Sequence, residues 1–131
     1  MKQKLIREAI LARKNSYSPY SGFAVGAALL CESGKIYRGA NIENASYGLT
    51  NCAERSAAFT AATAGERVFK AIAIVGAPVK EKATEICPPC GSCRQVLAEF
   101  GAADMPVILG TESGTYEERT LSELLPDTFK L

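Results

Sequence analysis

The 131-residue chain contains no histidine. That absence removes the Ser–His and Cys–His couples on which the commonest nucleophilic sites are built. Any transition-metal site here must therefore rely on cysteine and carboxylate. Long apolar runs are missing too, and the longest are strand-sized, so no membrane span is expected. Nor is there an excess of one charge: 15 basic residues face 14 acidic ones, with no basic stripe. This balance argues against a nucleic-acid backbone as the main partner. Five cysteines, an odd number with three in one short run, make a poor disulfide framework. They fit a reducing, cytoplasmic setting with metal-binding or free thiols. The opening segment MKQKLIREAILARKNS is amphipathic and contains Glu8, so a cleaved secretory signal is not expected.

What is present reads as one domain over residues 1–131, with no repeat, linker or low-complexity segment. Leu5, Ile6, Ala9, Ile10 and Ala12 follow helical spacing and predict a helix over 3–14. A turn-rich loop, SYSPYSG, leads into an apolar strand at 23–31. Glu32-Ser33-Gly34 forms a hairpin turn into a second strand at 35–40. The alanine-rich stretch 51–64 predicts a helix ending at Gly65, and AIAIV at 71–75 a buried strand. A helix over 90–100, framed by a proline pair and Gly101, precedes strands at 106–109 and 115–119 and a short helix at 121–125. The order is that of an α/β sandwich around a mixed sheet.

Chemistry concentrates in ICPPCGSCRQ, residues 86–95. A residue before proline is pushed out of the helical region, so Cys87 is expected in extended chain. Pro89 suits the start of the following helix, where its missing N–H costs nothing. Cys90 and Cys93 then share a face of the first turn, where the helix dipole favours thiolates. A second element, Asn51-Cys52-Ala53-Glu54-Arg55, stands at another helix start and offers Cys52 as a third thiolate and Glu54 as a carboxylate beside it. Residues two apart in a regular helix point in nearly opposite directions, so Cys52 is expected at the turn entering the helix. On spacing alone the cysteines are equally compatible with ligation and with plain burial. A structural zinc or iron–sulfur module using Cys87 with the other three is the main rival. Two further rivals are a deaminase of another small aminopyrimidine and a polynucleotide editor.

Cysteine-x-glutamate followed further on by Pro-Cys-x-x-Cys is the pattern of zinc-dependent nucleobase deaminases. The chain resembles the small, all-cysteine, homotetrameric cytidine deaminase family in FAVGAAL, NIENASYG, NCAERSA, PCGSCRQV and ELLPDTF, in order and spacing. The resemblance implies a three-layer α/β/α sandwich with a five-stranded mixed sheet. It implies one zinc ion per subunit on Cys52, Cys90 and Cys93, with Glu54 as the proton-transferring catalytic group and Arg55 hydrogen-bonding the ligand thiolates. Three protein ligands plus water describe a catalytic zinc, and Cys87 is left as a spectator. The resemblance makes Phe23, alone an ordinary core aromatic, a stacking surface for the pyrimidine. It puts Asn41 and Glu43 on the ribose hydroxyls and the backbone of Ala53 near the base carbonyl. It also implies that Phe129 closes a neighbouring subunit's site, and Tyr47 is expected near the subunit contacts. A carboxylate at the sugar suits a diol and repels a phosphate, which favours a free nucleoside over a nucleotide or polynucleotide. Cys31 reads as core.

Overall fold

A computed structural model describes residues 1–131. It contains a first helix α1 (Lys2–Arg13), strands β1 (Phe23–Cys31) and β2 (Ile36–Ala40), helix α2 (Ala53–Thr63), strand β3 (Phe69–Pro78), helix α3 (Gly91–Phe100), strands β4 (Pro106–Gly110) and β5 (Tyr116–Thr120), and helix α4 (Leu121–Leu124). The strands form one sheet in the order β2-β1-β3-β4-β5. Only β3 and β4 run parallel; every other neighbouring pair is antiparallel.

Alternation along the strands sorts the core into two layers, as the period of two requires. Ala27, Leu29, Ile72, Ile74, Val107 and Leu109 face α2 and α3. Ala28, Ala71, Ala73, Val75 and Ile108 face α1, which lays Leu5, Ile6 and Ala9 against them. The three-layer α/β/α sandwich with a five-stranded mixed sheet is therefore the observed architecture. Strands covered on both faces have no polar side, which is why β1 and β3 read as nearly unbroken apolar runs.

Two glycines set the distance between layers. A Cβ on Gly26 would stand 2.0 Å from the carbonyl oxygen of Ala9, so α1 rides directly on β1. On the opposite face, a Cβ on Gly39 would lie 2.3 Å from the amide nitrogen of Ala57 and 2.4 Å from the carbonyl oxygen of Ala53. Backbone against backbone leaves nothing flexible to yield. Gly39→Ala is therefore expected to push α2 off the sheet and cost about 3 kcal/mol. Chemical denaturation checks the cost, and zinc content checks the displacement, because Cys52, which the resemblance names as a zinc ligand, stands at the start of α2.

Most elements stand where the sequence puts them, with three corrections. The second helix begins at Ala53 rather than at residue 51, and Cys52 is its extended N-cap residue (φ −74°, ψ 157°). The third begins at Gly91, with Cys90 as N-cap (φ −67°, ψ 166°). Pro89 is thus buried before the helix instead of forming its first turn; its carbonyl accepts from Arg94 Nε at 2.8 Å. Strand β3 is longer than AIAIV because Gly76, Ala77 and Pro78 continue to pair with β1 down to Phe23.

The register collects the site at one end of the sheet. Phe23 opens β1 opposite Pro78 at the close of β3. Ala40 closes β2 opposite Gly26. The loops leaving β2 and β3 thus start side by side, and each runs into a helix that begins with a cysteine. This is the carboxyl end of two strands, a natural place for a site in an α/β sheet.

Candidate metal and catalytic site

The sulfur atoms of Cys52, Cys90 and Cys93 lie within 4.8 Å of one another. Cys52 Sγ is 3.7 Å from Cys90 Sγ, and Cys90 Sγ is 3.4 Å from Cys93 Sγ. Cys93 is buried, Cys52 half-buried and Cys90 exposed, so the cluster opens toward solvent on one side. Both helices point their N-terminal ends at it, and aligned backbone N–H dipoles favour negative sulfur there. Cys52 is held well below the usual thiol range by hydrogen bonds from the Cys93 thiol and from Arg55. Cys93, which supplies the proton in that contact and is buried, is pushed up.

Such a set suits zinc. Zinc–thiolate bonds of about 2.3 Å in tetrahedral geometry place the sulfurs about 3.8 Å apart, close to the spacing found. Three thiolates without imidazole or carboxylate among the donors also select a soft cation over magnesium or calcium. Three negative sulfurs overcompensate a dication, and donors around them restore the balance. Arg55 is placed for this, with Nη2 donating to Cys52 Sγ at 3.3 Å and Nε buried without another partner. The Cys52 contact in turn raises the guanidinium pKa.

Glu54 follows Cys52 by two residues and is only 4% exposed. Burial pushes its carboxyl up to about 7, with a backbone hydrogen bond opposing and the charge of Cys52 adding. A carboxyl that holds or releases its proton near neutrality is suited to both directions of proton transfer. Ala53, between them, is fully buried.

Cys87 is not in the cluster. It packs on Gly76: a Cβ there would meet Cys87 Sγ at 2.8 Å and Phe23 Cε2 at 3.1 Å. Thiol and aromatic ring thus share one glycine floor beside the metal site. Burial, then the charges of Glu54 and Cys52, push the Cys87 thiol up to about 11, so it stays protonated. The four-cysteine arrangement of a structural or iron–sulfur module is not what the fold assembles.

The remaining candidates separate into two groups. Phe23 is partly exposed at the mouth of β1, near the cluster. Glu43 lines a cleft of 340 Å³ with Tyr20, Ser21, Tyr47 and Thr50. Its carboxyl lies below the usual range because the Ser21 hydroxyl bonds it. Asn41 is buried and largely committed to the fold. Its Oδ1 accepts from Val25 N at 2.9 Å and from Ser16 Oγ at 2.5 Å, and its Nδ2 donates to the Phe23 carbonyl at 2.8 Å. One N–H remains for any other partner. Phe129 lies outside this group. Its carbonyl accepts from Gln95 Nε2 at 3.3 Å, and its side chain is exposed over a hollow of 660 Å³ along α3. Tyr47 is exposed and meets Tyr20 edge-on, with ring centroids 6.0 Å apart.

The profile of the family described as "Cytidine and deoxycytidylate deaminase zinc-binding region" matches residues 1–109. The chain belongs to this family. It is 57% identical over 128 residues to a cytidine deaminase of Halalkalibacterium halodurans, covering 98% of this chain and 93% of that protein. A cytidine deaminase of Sporosarcina psychrophila is 52% identical over 130 residues, covering 97% and 90%. The crystal structure of cytidine deaminase from Burkholderia pseudomallei superposes with a TM-score of 0.89 at 46% identity, over 98% of this chain and 99% of that one. Membership accounts for the three-cysteine cluster and for zinc as its cofactor. No helix is long and apolar enough to cross a membrane.

The sequence passed over Ser21 and Gly76. Ser21 stood in a loop read only as turn-rich, although a serine hydroxyl in a turn readily bonds the backbone two residues on, as Ser21 does with Phe23. Nothing local marks Gly76, whose role comes from two side chains distant in sequence.

Proposed function

We propose that this chain is a zinc-dependent enzyme that hydrolytically deaminates cytidine and deoxycytidine to uridine and deoxyuridine, releasing ammonia. The observation that carries the reading is the cluster of Cys52, Cys90 and Cys93 at two helix starts, with the buried carboxyl of Glu54 beside it. Residues 1–131 act as one catalytic domain. Cys52, Cys90 and Cys93 hold the zinc, and Arg55 steadies their thiolates. When bound, the ion lowers the pKa of a water to about 7 and so makes a nucleophile available at neutral pH.

Glu54 takes the water's proton and delivers it to N3 of the pyrimidine, which makes C4 more electrophilic. The C4–O bond forms and the ring becomes tetrahedral at C4. Glu54 then takes the proton of the new C4 hydroxyl and gives it to the exocyclic amine; the C4 carbonyl forms as the C4–N bond breaks, and ammonia leaves. One carboxyl serves as base and then as acid, so no histidine is needed. Phe23 stacks on the base, the Ala53 backbone meets its carbonyl, and Asn41 and Glu43 take the ribose hydroxyls. For Asn41 this uses the one N–H the fold leaves free. Phe129 completes the site of a neighbouring subunit in a homotetramer, with Tyr47 near the contacts; its exposed ring supports this. The setting is cytoplasmic pyrimidine salvage, with a nucleoside rather than a nucleic acid as partner.

Ammonia release from cytidine and deoxycytidine by zinc-loaded protein tests the reaction. Size-exclusion chromatography with light scattering tests the assembly, where the expected species contains four chains. A zinc-loaded chain that leaves both nucleosides intact would end the reading.

A further inference from the structure

Ser21 is absent from the sulfur cluster, yet its hydroxyl joins two groups that the deaminase reading assigns to opposite halves of the substrate. Its Oγ donates to Oε2 of Glu43. The same oxygen accepts the backbone N–H of Phe23 at 3.0 Å. The other Glu43 oxygen accepts from Tyr20 N at 2.9 Å and Ser21 N at 3.1 Å. Three donors from one turn therefore hold the carboxylate in a single orientation. A carboxylate oxygen that accepts from Ser21 keeps a lone pair for a further donor along the cleft. Gly22, at φ +68°, makes the reversal that lets one side chain reach forward to Phe23 and back to Glu43. Beyond that turn, the Phe23 ring rests on Gly76 beside Cys87.

We propose that Ser21 is a positioning residue that couples sugar recognition by Glu43 to base stacking by Phe23, so that the two halves of a nucleoside are read together. The inference rests on the deaminase reading and on the substrate roles of those two residues. Removing the hydroxyl leaves the Phe23 N–H without its acceptor and releases one of the bonds on Glu43. Loss of a bond to a charged group and an unpaired donor act mainly on substrate affinity. Ser21 is exposed, so folding is not at stake.

The test compares cytidine with 2′,3′-dideoxycytidine, which lacks the 2′ and 3′ hydroxyls, by ammonia release. In Ser21→Ala, KM for cytidine is expected to rise about tenfold while the change falls little on kcat. The ratio of dideoxycytidine KM to cytidine KM is expected to narrow about fivefold, and Ser21→Thr, which keeps the hydroxyl, to restore it. In a Phe23→Leu background the same Ser21→Ala change should cost less than about half as much, the signature of coupling rather than of two independent contacts. An unchanged KM ratio, a loss confined to kcat, equal damage in Ser21→Thr, or strict additivity with Phe23→Leu each overturns the proposal. A wild-type chain active on cytidine but indifferent to the sugar hydroxyls overturns it at Glu43. A wild-type chain that releases no ammonia from either substrate brings down the deaminase reading and this inference with it.

Discussion

Glu54→Gln is expected to lose about ten-thousand-fold in kcat for cytidine while keeping one zinc per chain. In the proposed mechanism two proton transfers pass through this carboxyl, and each is worth about a hundredfold or more. The amide preserves shape and hydrogen-bonding capacity but can neither take nor return a proton. Zinc content by atomic emission separates this result from damage to the metal site, because the three sulfurs are untouched. Stability supplies an independent check. In zinc-stripped protein the folded carboxyl titrates near 7, raised by burial above its ordinary value of 4.5. Because the folded state holds the proton more tightly than the unfolded chain does, the contribution of Glu54 to stability is fully present below pH 4.5 and is lost as pH rises through about 7. The loss across that window is about 3 kcal/mol. Glu54→Gln should remove that contribution, seen as the difference between the pH profiles of variant and wild type, and leave the stripped fold no less stable at neutral pH. A variant with native turnover would remove Glu54 from the chemistry.

The cysteine motifs were legible because their spacing is local, but spacing left ligation and plain burial even, and the family resemblance decided between them. A cysteine entering a helix, with a carboxylate two residues on, and a Pro-Cys-x-x-Cys at another helix start are visible in the string, and Pro88 alone turns Cys87 into extended chain. The strands were legible as short apolar, β-branched runs bounded by turn residues. The helix starts slipped by one or two residues because both cysteines take the extended N-cap conformation, which puts their sulfurs beside the opening N–H groups. What stayed hidden depends on distant partners. Gly39 read as an unremarkable strand residue, but the backbone of α2 sits upon it. Asn41 suggested a sugar contact from its motif, while the fold commits most of its amide to fastening the start of β1. Ser21 is informative only once Glu43 and Phe23 have been brought to either side of it. Chain order states none of these neighbours, since each arises from strand register or loop closure.

Cys93→Ala carries the other large expected effect, and it acts on metal and fold together. Cys93 is fully buried in the first turn of α3, with Cys90 Sγ at 3.4 Å and its thiol bonded to Cys52 across the two segments. Two thiolates and solvent cannot hold zinc as three thiolates do, so the purified variant is expected to contain less than about a tenth of an equivalent of metal. At free zinc about a thousandfold above the dissociation constant, a bound ion contributes about 4 kcal/mol to the folded state. For a chain of this size that corresponds to a fall in Tm of about 15 °C, measured by calorimetry in zinc-containing buffer. The small cavity left by the thiol adds to the cost, so the metal contribution is isolated by repeating both scans with chelator. Wild type should then fall most of the way to the variant, and the variant should barely move. Cys87→Ala is the control that decides between three and four ligands. Its sulfur packs on Gly76 beside Phe23 and lies outside the cluster, so full zinc content is expected. Loss of zinc in Cys87→Ala, or its retention in Cys93→Ala, would mean that the ligand set is wrong.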